Sequence, residues 1–190
     1  MMYIGRILSP VHALGPGERV CLWTQGCSKQ CDGCMSPDLL RAGGAAVDCE
    51  KLAQALIQLA KKGHCTGLTV SGGDPFEQST ALLRLLQLLR NAFDDILVYT
   101  GYTLDEIMAG SAGDAGKQCL AYIDVLIDGR YEKAQNTPDC VLRGSANQKI
   151  HFLNEDKRQT YAAYMEKGRM VEPFFQDGQT ILTGILNAEG

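Results

Sequence analysis

The sequence predicts an α/β fold, a parallel β-sheet covered by helices, on three observations. Short apolar stretches with strand character alternate with helical ones along most of the 190 residues. The strand candidates are apolar on both faces, as in the uninterrupted run Ile96 to Tyr99, which is the mark of strands covered on both sides. Glycine-rich polar motifs follow strand after strand: residues 26–34, Ser71-Gly72-Gly73-Asp74, Thr100-Gly101-Tyr102 and Asp128-Gly129. Ligands of parallel sheets gather beyond the carboxyl ends of the strands, so these four loops converge on one rim and one site.

Ile4 to Leu8 is the first strand, ended by the turn cluster Gly15-Pro16-Gly17, and Val20 to Thr24 is the second. Residues 37–47 read as irregular, punctuated by Gly43-Gly44. Asp48 is the N-cap of a helix running to about Lys62, with Leu52, Leu56, Leu59 and Ala60 on its apolar stripe and Gly63 as its stop. Gly67 to Ser71 is a strand, Gln78 to Ala92 a leucine-dense helix, and Ile96 to Tyr99 a strand. Thr103 and Glu106 have capping-box spacing, so a helix begins there. The Gly/Ala/Ser-rich loop Gly110 to Gly116 leads through a short helix into the strand Ile123 to Ile127, and Ile150 to Leu153 is a last strand. Beyond it, Asp156 to Lys167 reads as an exposed amphipathic helix. Val171 to Phe175 and Thr180 to Ile185, joined through Asp177-Gly178, read as a β-hairpin.

Composition narrows the function classes. With 45% hydrophobic and 21% charged residues the chain is an ordinary globular protein of one core. A formal charge of −4 without a Lys/Arg cluster argues against nucleic acid as a partner. No apolar run reaches the roughly 20 residues of a membrane span, and Met1 to Leu14 lacks a signal-peptide apolar region. Eight cysteines without a secretion signal place the chain in a reducing cytoplasm.

Cys27, Cys31 and Cys34 stand within eight residues as Cys-x3-Cys-x2-Cys. Thiolates this close suit a metal or an iron–sulfur cluster better than disulfides. Structural zinc and iron–sulfur cubanes normally take four protein ligands, and no second Cys-x-x-Cys is present. A cubane held by three cysteines leaves one iron open to another ligand. Cys21, Cys49, Cys65, Cys119 and Cys140 stand singly and read as small buried hydrophobes. If the open iron chelates an amine and a carboxylate, other groups must hold the rest of that ligand. Gly72 and Gly73 can present unshielded carbonyls to an amine. Asp74 and Asp128 can accept hydrogens, and Arg143-Gly144-Ser145 offers a guanidinium and a hydroxyl to a carboxylate. Taken singly, each of these is more often a turn residue, a cap or a solvated loop.

In series, Gly15-Pro16-Gly17-Glu18-Arg19, the three cysteines, Ser71 to Pro75, Thr100-Gly101-Tyr102, Asp124 to Gly129 and Arg143 to Gln148 resemble the radical S-adenosylmethionine activating proteins. They most resemble those that activate anaerobic ribonucleotide reductase. The likeness runs from about Gly5 to Leu153, and Gly33 before the third cysteine is similar to that branch. It implies a partial, open (β/α) barrel over residues 1–153, with residues 154–190 as a C-terminal helix and β-hairpin appendage. It also implies a 4Fe-4S cluster on Cys27, Cys31 and Cys34, with S-adenosylmethionine on the fourth iron. One-electron reduction would release methionine and a 5′-deoxyadenosyl radical, which takes hydrogen from a glycine of a large glycyl radical enzyme. Cluster potentials span about −700 to +450 mV, and this chemistry needs the low end, hence a flavodoxin or ferredoxin reductant. Carried over, Gly33 and Met35 flank the cofactor beside the cluster, Gly72 and Gly73 hold its amino group, and Asp74 and Thr100 also contact it. Asp128, Arg143 and Ser145 are further contacts. Two departures, Met35-Ser36 after the third cysteine and the residues beyond Leu153, bear on the hydrogen donor. A radical enzyme acting directly on a small molecule or peptide, and an iron–sulfur electron carrier, are the alternatives.

Overall fold

A computed structural model describes residues 1–176 and 178–187. Its main sheet contains β1 (Met2–Val11), β2 (Arg19–Thr24), β3 (Ala45–Val47), β4 (Gly67–Gly72), β5 (Asp95–Tyr99), β6 (Val125–Asp128) and β7 (Lys149–Phe152). The order is β3-β1-β2-β4-β5-β6-β7. β2, β4, β5 and β6 pair in parallel, while β1 and β7 flank them antiparallel. The expected α/β sheet is therefore mostly parallel, with opposed strands on either side of the parallel core.

Alternation along the strands sorts side chains to two faces. Val20, Leu22, Leu68, Val70, Ile96, Val98 and Leu126 face one core, covered by α1 (Cys49–Gly63) and α2 (Ser79–Leu89). Leu82, Leu85, Leu86 and Leu89 of α2 are fully buried there, at about 1.5–3 kcal/mol each. α3 (Leu104–Ala109), opened by the expected Thr103/Glu106 capping box, and α4 (Gly113–Cys119) extend this layer. Cys21, Trp23, Leu97, Val125 and Ile127 face the other way. That second face is covered by α5 (Arg158–Met165), by residues such as Leu142, and by the hairpin of β8 (Val171–Gln176) and β9 (Gln179–Gly184).

The expected appendage is thus a covering layer. Tyr161 of α5 is fully buried, meets Phe152 edge-on at 5.8 Å and donates to the Asp95 carboxylate at 2.9 Å. Glu172 of β8 accepts from the backbone amides of His12 and Ala13 at 2.6 and 2.7 Å. The guanidinium of Arg169 bonds the carbonyls of Cys140, Thr137 and Leu186. Of the expected Asp-Gly turn, Asp177 lies outside the described residues.

Four local expectations change. Residues 45–47, expected to be irregular, form edge strand β3, which exists only because Met2 to Ile4 pair with it. α1 runs through Gly63, and the left-handed cap that ends it is His64 (φ 53°), not the glycine. α2 stops at Leu89, because the Arg90 guanidinium turns to Asp124 and to the carbonyls of Tyr122 and Phe93. α4 occupies part of the expected loop. Gly116 leaves room for the Ala112 methyl at its N-cap, since a Cβ there would lie 2.7 Å from the Ala112 Cβ. Among the described residues no helix is long and apolar enough to cross a membrane.

Candidate active site

The site begins where β2 ends. Beyond Thr24 the chain leaves the sheet, and the amides of Gly26 and Cys27 donate to the carbonyls of Leu39 and Leu40 at 2.8 and 3.0 Å. The loop then turns through Gln30 (φ 45°) and Gly33 (φ 69°), and the Cys34 amide donates to the Cys31 carbonyl. Cys27, Cys31 and Cys34 are each half-buried and line one pocket at the carboxyl ends of the parallel strands. No other cysteine lines it among the described residues.

The glycine pair seats this loop. The Gly73 amide donates to the Thr24 carbonyl at 2.8 Å, and the Asp74 amide to the Gly26 carbonyl at 2.9 Å. A Cβ on Gly72 would lie 2.2 Å from the Thr24 nitrogen, and one on Gly73 would lie 2.2 Å from the Gly26 oxygen. The pair is required because two backbones touch, a reason that adds to the carbonyl exposure expected from sequence.

Asp74, 1% exposed, is the polar hub behind the loop. Its carboxylate accepts from the Phe76 amide, the Thr100 hydroxyl and the Gly101 amide, and lies 2.9 Å from the Lys29 ammonium. Lys29 also reaches Glu77 at 3.1 Å and stacks over Tyr102 at 3.4 Å. Burial alone would lower the Lys29 pKa, but the Asp74 and Glu77 carboxylates outweigh it and raise it. The Cys27 thiol and the Asp74 and Glu77 carboxylates lie within 4.8 Å of one another. Since Lys29 already neutralises both carboxylates, they serve as an anchor for the cysteine loop and not as a cation site.

Gly72, Gly73, Asp74, Thr100 and Met35 line the pocket together with the cysteines. Gly33, Asp128, Arg143 and Ser145 do not. Gly33 packs by the Lys133 stem. Asp128 accepts from the Leu104 amide at 2.6 Å, lies 2.9 Å from His151 Nε2, and is 2% exposed. Arg143 donates to the carbonyls of Ala146 and Gln148, and the fully buried Ser145 accepts from the Glu132 amide. The loop's own bonds therefore occupy these groups. Its contribution to the pocket comes through Gly144 and Gln148, whose amide bonds Gly144 and Gly129.

Sequence reasoning missed Lys29, Glu77, Trp23 and Tyr99, along with Leu182 to Leu186 of the C-terminal segment, which form part of the pocket wall. A cation inside a cysteine loop is a signal for Lys29, but its partners are spatial. Nothing local marks the others.

Burial pushes the Cys27 and Cys34 thiols above the ordinary value, against hydrogen bonds from neighbouring backbone amides. Iron binding there would release protons. Cys21 and Cys119 are pushed by burial to about 12 and act as apolar filling.

The model of the 4Fe-4S single cluster domain matches residues 13–151. An anaerobic ribonucleoside-triphosphate reductase-activating protein of Vibrio cholerae is 36% identical over 143 residues, which are 72% of this chain and 89% of that protein. Proteins of the same name from Haemophilus influenzae (37% identical; 72% of this chain, 89% of that protein) and Escherichia coli K12 (32%; 73% and 91%) are likewise similar. With three clustered thiols at the head of this matched region, the chain belongs to the 4Fe-4S single cluster domain family and is a homologue of the anaerobic ribonucleoside-triphosphate reductase-activating proteins.

Proposed function

We propose that this chain is a radical S-adenosylmethionine enzyme that activates an anaerobic ribonucleotide reductase by generating a glycyl radical on it. One observation carries the reading: three thiols and the Gly72-Gly73 backbone line one pocket to which, among the described residues, no fourth cysteine contributes. This donor set fits a 4Fe-4S cluster with one iron left for a non-protein ligand. The names of the homologues and the match to a 4Fe-4S domain support it.

A bound cluster, kept reduced by a flavodoxin or ferredoxin, would supply the single low-potential electron for reductive cleavage of S-adenosylmethionine, the chemistry needed to remove a hydrogen from a glycine of the reductase. Cys27, Cys31 and Cys34 would hold the iron. Gly72 and Gly73 stand beside them as the acceptor edge for the cofactor's amino group, with Asp74 and the Thr100 hydroxyl it holds fixed behind. Lys29 locks the cysteine loop to the β4 and β5 loops, so the thiols keep their positions before any metal arrives. Trp23, Tyr99 and Met35 give the pocket an apolar wall that excludes water from a reactive carbon radical. In this reading the sheet is the partial, open barrel of the radical enzymes. Residues 1–153 carry the shared chemistry and 154–190 are a specialisation of this chain.

Anaerobic reconstitution with iron and sulfide, followed by S-adenosylmethionine and dithionite, tests the first step. 5′-Deoxyadenosine is expected, and its absence from cluster-loaded protein would leave only an electron carrier. Adding the reductase of the same organism should then give a glycyl radical signal by electron paramagnetic resonance. Abundant 5′-deoxyadenosine without that signal would point instead to a small-molecule substrate.

A further inference from the structure

The geometry points to Thr183 as the residue that reads the hydrogen-donating polypeptide: its hydroxyl bonds a backbone amide of the partner loop that enters the pocket, so the C-terminal hairpin sets substrate specificity. This rests on the activase reading. Thr183 is 3% exposed, lines the pocket, and its Oγ1 has no hydrogen-bond partner among the described residues. A buried hydroxyl without a partner costs free energy, so one on a pocket wall is set for a ligand.

The wall is fixed rather than mobile. Glu172, opposite Thr183 in the β8–β9 register, is held by the His12 and Ala13 amides. The Leu186 carbonyl just beyond β9 accepts from Arg169 and from Asn136. Ile181 and Ile185, on the same face of β9 as Thr183, pack into the apolar cluster of Leu14 and Trp23. On this stretch of the wall Thr183 offers one hydroxyl, able to donate and to accept, beside the apolar side chains of Leu14, Trp23 and Ile185. That suits a small-residue peptide segment, which brings one N–H or C=O and little else, better than a charged or polyhydroxyl ligand.

The hairpin's place in the chain separates donor from cofactor. The family match ends at residue 151, and the hairpin begins at Val171. The cysteine loop and the glycine pair belong to the matched part, and the hairpin adds a pocket wall outside it.

The test is Thr183→Val, of nearly the same shape, beside Thr183→Ser, which keeps the hydroxyl, in full-length reconstituted protein with the reductase of the same organism. Iron content per chain checks that both fold. For T183V the reductase concentration giving half-maximal glycyl radical should rise about tenfold, the loss of one buried hydrogen bond. The half-saturating S-adenosylmethionine concentration should move less than about twofold, and T183S should restore the first value. A T183V equal to wild type in both would overturn the assignment, as would a tenfold shift in the cofactor value. If wild-type protein itself yields no glycyl radical, the activase reading has failed and the assignment with it. A failure of the hairpin role alone looks different, because wild type and T183V then give the same radical at the same reductase concentration.

Discussion

The two ends of the parallel strands are built on opposite plans. At the amino end Arg19, fully buried, uses all its donors. Nε donates to the Thr69 hydroxyl; Nη1 donates to Asp95 at 2.6 Å and to the Pro16 carbonyl; Nη2 donates to the carbonyls of Leu68 and Asp95. Tyr161 closes the far side of Asp95, and nearby Asp124 is sealed the same way by Arg90, the Ile96 amide and Asn154. At the carboxyl end, among the described residues, three thiols and the Thr183 hydroxyl are left for something this chain does not itself supply. The contrast separates what holds this fold from what it is for. A polar group satisfied from within fixes the chain, and one left over at a pocket is addressed to a ligand.

The largest effect should come from the open end. Cys34→Ala, or the same change at Cys27 or Cys31, should abolish the visible absorbance of the reconstituted cluster and all 5′-deoxyadenosine formation. Cys119→Ala, at a buried apolar position, should keep both. Asp95→Ala strikes the sealed end by leaving Arg19 buried and unpaired. It should cost about 3–5 kcal/mol and lower the thermal midpoint by about 10 °C, with iron per folded chain retained. Retained stability would mean that the amino-end network is not what holds the second face on.

Gly73→Ala probes the joint between the two loops. Its Cβ has no room beside the Gly26 carbonyl, so the cofactor concentration for half-maximal cleavage should rise about tenfold or more while the melting midpoint moves by a few degrees. The smallest effect is electrostatic. Burial pushes the Asp124 carboxyl up, but the Asn154, Arg90 and Ile96 bonds outweigh it and hold it below its usual range. That stabilisation is complete above the unfolded value near 3.9 and is lost as pH falls through the lower folded value. Urea midpoints of wild type should therefore drop more steeply below about pH 4 than those of Asp124→Asn, and parallel curves would remove Asp124 from the sealed set.

Legibility followed the range of the forces involved. Asp48, Thr103 with Glu106, and the leucine stripe of α2 act on residues within one helical turn or two, so their elements were readable. Edge strand β3 has an unremarkable Ala-Ala-Val sequence and depends on Met2 to Ile4, some forty positions away. In the site, the glycine pair stands out in the sequence, but its close contact with the Thr24 and Gly26 backbone does not. Asp128, Arg143 and Ser145 look free in the sequence but are bonded within their own loops or to neighbouring elements, so they do not reach the pocket.

The sequence by itself determined the three-cysteine loop and the parallel α/β core, because cysteine spacing in one loop and the alternation of apolar runs are local properties of a chain. Tertiary structure alone decided that Lys29 braces the cysteine loop and that α5 and the β8–β9 hairpin cover the sheet's second face. It also decided that Thr183, about 150 positions from the cysteines, faces the same pocket. Those outcomes depend on which buried groups find partners once the strands have paired, and no stretch of sequence records that.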